Sequence, residues 1–230
     1  MKTLGIVGGI GPESTLEYYR FIVESYRERK SDGSYPSIII NSINLKQVLD
    51  FLYAGEFPRL AEHFAAEVKK LAAAGADFGL LAANTAHVVF DEVQRRSPIP
   101  LISIVEATCK KAKSLGLKKL GLFGTRFTMQ GRFYPEVFSK AGLVLAVPNQ
   151  EEQAYIHDKY MTELINGVLL PETRDRLLAI VEALKKRESI EGLILGGTEL
   201  PLILRDASAG IPLLDTTKIH VESAVTELLS

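Results

Sequence analysis

Short apolar runs alternate with longer amphipathic stretches from one end of the chain to the other. The runs are Thr3–Gly8 (TLGIVG), Ser37–Ile43 (SIIINSI), Asp77–Ala83, Leu101–Ile104, Lys119–Gly124 (KLGLFG), Leu143–Val147, Gly192–Gly196 and Ile211–Leu214. Runs apolar on both faces and bounded by turn residues predict buried strands of a parallel sheet. Between them, helical spacing predicts helices over Glu13–Arg29, Pro58–Ala74, Asn84–Arg96, Val105–Leu115, Glu151–Asn166, Glu172–Glu188 and Thr216–Leu228. Pro12 suits a first helical turn, and Gly75 a helix stop. Lys30–Tyr35 reads as a turn cluster, and Asn44–Gly55 as a polar connection that becomes helical.

The pattern occurs twice. KLGLFG at Lys119 restarts what KTLGIVG begins at Lys2, and LILGGTELP at Leu193 answers LLAANTAH at Leu80. Self-similarity on this scale predicts an internal duplication. The expected fold is therefore α/β, with two similar parallel-sheet lobes related by a pseudo-twofold and a ligand cleft between them. Two prolines in Ser97–Pro100 stiffen the connection there. The first lobe is accordingly expected over 1–97 plus 213–230, and the second over 98–212. A single eight-stranded barrel fits less well, because the repeats are unevenly spaced.

Composition narrows the function classes. Lys and Arg total 27 against 28 Asp and Glu, and no block of like charge stands out. That balance gives no reason to expect a nucleic-acid or anionic-membrane partner. No apolar run approaches the ~18 residues of a spanning helix, and the N-terminus reads as a strand rather than a signal peptide. The single cysteine, Cys109, excludes an intrachain disulfide and a cysteine-based metal cluster. A cytoplasmic location and no bound metal are the expectations.

Candidate chemistry gathers where the strands end. Gly8–Thr15 (GGIGPEST) is a glycine-rich strand-to-helix turn whose amides could hold a carboxylate; a tight turn without ligand is the alternative. It lacks the lysine of a phosphate loop and the spacing of a dinucleotide turn. Its counterpart, Gly124–Thr128 (GTRFT), offers Thr125, Arg126 and Thr128, which suit a carboxylate or serve as helix caps beside a surface arginine. Asn84-Thr85 and Thr198-Glu199 are polar pairs closing apolar runs, and helix capping would explain either one alone. Two pairs at matching places point to a site at the carboxyl ends of the strands. His87 lies one turn past Asn84, and His220 follows the last strand; a buried, hydrogen-bonded histidine is the alternative for each. His63 and His157 fall on helical faces expected at the surface. The histidines are too scattered for a metal site. Cys109 falls within a helix, where a small buried apolar role is expected.

These stretches, in this order, resemble the cofactor-independent aspartate/glutamate racemase family. GGIGPEST resembles that family's opening G-G-M-G-P-x-x-T, LAANTAH its C-N-T-x-H, and LGGTELP its G-C-T-E. The closing DTTKIH belongs to the same set, and the resemblance spans essentially the whole chain. It is nearest to the subgroup acting on both aspartate and glutamate. The resemblance implies two α/β lobes, a homodimer, no pyridoxal phosphate or other cofactor, and two cysteines on opposite faces of the substrate's α-carbon. Here Ala83 and Gly197 stand at those two positions, so the two-thiol exchange of protons is unavailable, and Cys109 lies on the wrong element to substitute. By the same resemblance Asn84, Thr85, Thr125, Thr128, Thr198 and Glu199 match positions that hold the amino acid's carboxylates and amine. With Gly9, Ile10, Ser42 and Arg126 they form the substrate-binding candidates.

The expected ligand is thus an acidic amino acid or dicarboxylate, with room for a somewhat larger one where each thiol is missing. The remaining proton-transfer groups are Glu199 first and His87 second, with Glu13 and His220 behind them. A one-sided lyase, decarboxylase or isomerase, a catalytically silent metabolite-binding protein, and a racemase with both cysteines replaced by design are the alternatives.

Overall fold

The computed structural model describes residues 2–204 and 209–230. Among the described residues eight strands run in chain order: β1 (Thr3–Gly8), β2 (Ser37–Ser42), β3 (Phe78–Leu81), β4 (Leu101–Ile102), β5 (Lys119–Gly124), β6 (Val144–Ala146), β7 (Gly192–Gly196) and β8 (Leu213–Asp215). They form two four-stranded sheets, ordered β2-β1-β3-β4 and β6-β5-β7-β8. Every pairing is parallel. Both sheets therefore share one strand order, second-first-third-fourth, as a duplicated chain requires.

The helices are α1 (Pro12–Arg29), α2 (Leu45–Ala54), α3 (Phe57–Ala73), α4 (Phe90–Arg96), α5 (Ile104–Ser114), α6 (Arg126–Gln130), α7 (Phe133–Lys140), α8 (Gln150–Thr162), α9 (Pro171–Glu188), α10 (Leu200–Leu204) and α11 (Thr216–Leu228). Most lie where the apolar spacing predicts. Helices α6 and α7 fill a stretch for which that spacing predicts no element. The helix expected over Asn84–Arg96 is broken: Thr85–Val89 is a 3-10 turn, and α4 begins at Phe90. The cause is local. His87 Nδ1 takes the Ala83 carbonyl at 2.9 Å, so the His87 amide bonds Asn84 three residues back instead.

The chain divides into two compact units, Met1–Ile104 with Thr217–Ser230, and Val105–Thr216. This differs from the boundaries expected at 97/98 and 212/213. β4 pairs with β3, so the first crossing falls after the strand rather than at the prolines before it. β8 pairs with β7, which holds residues 213–216 in the second unit. The helix after each fourth strand is thus in the other unit from that strand. Val221, Ala224, Val225 and Leu228 of α11 enter the core formed by Leu4, Ile6, Tyr18, Ile22, Phe78 and Leu80. Burying the three larger of these side chains contributes roughly 5–9 kcal/mol, enough to fix α11 there despite its connection to β8. The second unit closes its own core with Phe123, Ile156, Tyr160, Leu177, Ile180, Leu184, Leu195 and Leu200.

Candidate active site

A parallel sheet delivers the carboxyl ends of all its strands to one edge. In the first unit that edge collects Gly9 and Ile10 after β1, Ser42 closing β2, and Ala83, Asn84 and Thr85 after β3. In the second it collects Thr125, Arg126 and Thr128 after β5, and Gly197, Thr198 and Glu199 after β7. The sequence candidates therefore fall into two groups, each gathered by its own sheet.

Register makes the two groups equivalent. Val7 pairs with Leu81, and Phe123 pairs with Leu195; Val7 and Phe123 each precede the glycine that closes their strand. Two residues beyond Leu81 and Leu195 lie Ala83 and Gly197, and one further lie Asn84 and Thr198. The closing glycines also match. A Cβ on Gly8 would meet Thr15 Cγ2 at 2.5 Å, and one on Gly124 would meet Thr128 Cβ and Cγ2 at 2.9 Å. A threonine of the following helix packs directly on each.

In the first unit the turn after β1 is shaped by its own backbone. Gly9 has φ +78°, and a Cβ there would fall 2.4 Å from the Ile43 carbonyl oxygen and 2.8 Å from Ser42 Oγ. Only glycine fits both constraints, and the fit brings Ser42 beside Gly9. The Gly9 amide donates to Thr15 Oγ1 at 2.8 Å, inside the protein. That amide is consumed by the turn and is not offered to a ligand. Asn84 is buried and its side chain does not cap the helix that follows, whereas Asn44 caps α2. Capping therefore does not account for Asn84.

His87 is 2% exposed and fully engaged. A carbonyl can only accept, so Nδ1 carries the proton it gives to Ala83, and Nε2 accepts the Ile104 amide at 3.1 Å. Burial, with His220 adding to it, lowers its pKa to about 3. No ring nitrogen remains to take a substrate proton, which argues against the role expected from sequence. His220 is bonded in the same manner: Nε2 donates to the Ile102 carbonyl at 2.9 Å, and Nδ1 accepts from Tyr18 at 2.8 Å. Burial lowers its pKa to about 4. Glu13 is exposed on the first turn of α1.

The second group has a different character. Thr125 caps α6, accepting the Thr128 amide at 3.3 Å, so the capping alternative is realised there. Arg126 is exposed, and its amide donates to His157 Nδ1 at 3.3 Å. Burial, then the Arg126 charge, lowers the His157 pKa. Glu199 is 2% exposed. Its Oε2 accepts from the Thr198 hydroxyl at 2.8 Å and from the Tyr160 hydroxyl. Burial, then the Glu199 charge, holds the Tyr160 phenol well above its ordinary range, so it is a donor.

Tyr160 is the residue that sequence reasoning misses. It lies on α8, away from any strand end, and only the packing of α8 over β5 and α6 brings it to the site. Its ring also overturns the expectation of spare room at position 197. A Cβ on Gly197 would lie 2.4 Å from Tyr160 Cε2 and 3.1 Å from its hydroxyl. That space is filled. Among the described residues no cluster of His, Cys, Asp or Glu could hold a metal ion, and no helix is long and apolar enough to cross a membrane.

Comparison with known proteins agrees with this architecture. The family model described as Asp/Glu/hydantoin racemase matches residues 7–224. The broad specificity amino-acid racemase RacX of Bacillus subtilis (strain 168) is 25% identical over 232 residues, covering 99% of this chain and 98% of that protein. The crystal structure of an aspartate racemase homologue from Pyrococcus horikoshii OT3 is 36% identical with a TM-score of 0.86, covering 100% of both chains. A glutamate racemase isoform from Bacillus anthracis shares the fold at 18% identity and a TM-score of 0.66, over 99% of this chain and 82% of that one.

Proposed function

The chain belongs to the Asp/Glu/hydantoin racemase family, and from that premise we propose that it binds an acidic amino acid or related dicarboxylate without two-thiol racemisation. One observation carries the reading. Ala83 and Gly197 are equivalent by register, each stands just before a polar group at a strand end, and neither side chain can carry a proton. Hydroxyls, amides and Arg126 supply donors suited to carboxylate oxygens. We further propose, from the family resemblance, a homodimer that uses no pyridoxal phosphate.

A second reading rests on Glu199. A buried carboxylate at a strand end could remove and return the α-proton on one face only. The C–H electron pair would pass into the substrate carboxylate while the proton moves to a Glu199 oxygen, and solvent exchange would then return a deuteron.

Proton NMR of the protein with L- and D-aspartate and L- and D-glutamate in D2O tests both readings. Broadened or shifted ligand signals with intact α-protons are expected from binding alone. Loss of the α-proton signal from one enantiomer, with no change of configuration, would establish the second reading. Formation of the opposite enantiomer would overturn both.

A further inference from the structure

Tyr160 performs two tasks with one side chain. Its ring is 6% exposed and packed among Phe123, Ile156, Leu164, Leu195 and Leu200, so it cannot swing aside without leaving a close-packed core. Gly197 lies against that ring and has a backbone that other residues could adopt, so the missing side chain there is a matter of space alone. The hydroxyl at the ring's end donates to Glu199. A carboxylate accepts and never donates, so it selects an N–H donor, and best of all a cationic one.

We propose that Tyr160 is a positioning residue of the ligand site: its ring takes the place a side chain at 197 would occupy, and its hydroxyl, with that of Thr198, holds the Glu199 carboxylate in one orientation to receive the ligand's amino group. The proposal rests on the reading that the ligand is an amino acid. Fixing the carboxylate beforehand removes the ordering cost that a mobile glutamate would incur on binding. The protein then discriminates an amino acid from its hydroxy-acid counterpart. L-malate matches aspartate in both carboxylates and offers a neutral hydroxyl in place of the ammonium. A site built to hold the ammonium rejects it.

The test combines binding with thermal unfolding. Calorimetric titration with the four aspartate and glutamate enantiomers and with L-malate should show the best amino acid at least about tenfold tighter than malate. Tyr160→Phe, which keeps the ring, should reduce that ratio several-fold while leaving malate binding in place. Gly197→Ala should reduce it likewise, because the new methyl displaces the ring. A loss of packing alone would weaken both ligands together and leave the ratio unchanged, which would overturn the proposal.

Two further measurements need no ligand. Gly197→Ala should lower the unfolding midpoint by roughly 3–10 °C in the native background and by less than half as much beside Tyr160→Ala. Glu199→Gln should bring one phenol down toward the ordinary range in an alkaline ultraviolet titration, because a charge opposing its ionisation is gone. Equal losses in both backgrounds, or an unchanged titration, would overturn the proposal. Absence of binding by all four amino acids, with both of these results as expected, would instead defeat the ligand reading of the preceding section.

Discussion

His87 and His220 grip the chain on either side of Ser103, at the point where it leaves the first unit. His220 Nε2 donates to the Ile102 carbonyl, and His87 Nε2 accepts the Ile104 amide. Their ring centroids are 6.1 Å apart, nearly edge to face. Each ring is neutral and has both nitrogens bonded, so each needs its proton on one particular nitrogen.

That arrangement predicts acid lability. An unfolded imidazole titrates near 6.5, whereas in the fold these two stay neutral down to about 3 and about 4. The unfolded chain therefore binds the extra protons first. Stability is intact above pH 6.5 and is lost as pH falls through 6.5 toward 4. At pH 5 the loss is on the order of 2 kcal/mol per histidine. Urea midpoints measured at pH 7 and pH 5 should fall accordingly, and His220→Gln should remove a large part of that dependence. An identical slope in the variant would contradict the assignment.

The turn after β1 gives a second prediction. Thr15 Oγ1 accepts the Gly9 amide and donates to the Gly11 carbonyl at 3.2 Å. Thr15→Val keeps the shape and leaves the Gly9 amide buried without an acceptor, costing about 1–3 kcal/mol. Chemical denaturation should show that loss, and amide hydrogen exchange should quicken at Gly9. A variant with native stability and exchange would mean the turn is held by packing alone.

The third prediction concerns Arg126. It is exposed, while Lys46, at the other group's strand ends, is already paired with Asp50 at 2.7 Å. If a ligand's carboxylate meets Arg126, Arg126→Ala should weaken aspartate binding about tenfold, equivalent to ~1.4 kcal/mol. Alanine, which lacks the distal carboxylate, separates the two possibilities for which carboxylate is met. Unchanged alanine binding assigns Arg126 to the distal group, and equal weakening assigns it to the α-carboxylate. Undiminished aspartate binding would leave Arg126 a surface residue.

How much was legible in the sequence follows from which interactions are local. Strands β1, β5 and β7 announce themselves as short apolar runs, and the duplication fixes the common strand order. Helix α6 was hidden because five residues are too few to show a period. The compact units part after Ile104 and not at the prolines 98 and 100, because those prolines mark a stiff connection, whereas β4 pairs with β3. His87 was ambiguous for a comparable reason: its acceptor at Ala83 is local, but its donor at Ile104 comes from another element. Tyr160 was illegible altogether. Nothing in the sequence around it refers to Gly197 or Glu199, and only tertiary packing brings them together.

The fourth prediction follows from that last pairing. By the family resemblance, returning cysteine to positions 83 and 197 creates racemase activity if the pocket is otherwise intact. Ala83→Cys adds a single thiol at a residue that already has a Cβ. Gly197→Cys must place a Cβ 2.4 Å from a buried ring carbon. The ring must move or the thiol must point elsewhere, and either outcome also disturbs the hydrogen bond to Glu199. The double variant should therefore fold less stably and give no opposite enantiomer in D2O. Adding Tyr160→Ala opens the space for the thiol, so the triple variant should react with a thiol reagent at position 197 while still lacking the hydroxyl that holds Glu199. Racemisation by the double variant alone would show that the ring yields readily and that Tyr160 does not bar the second thiol.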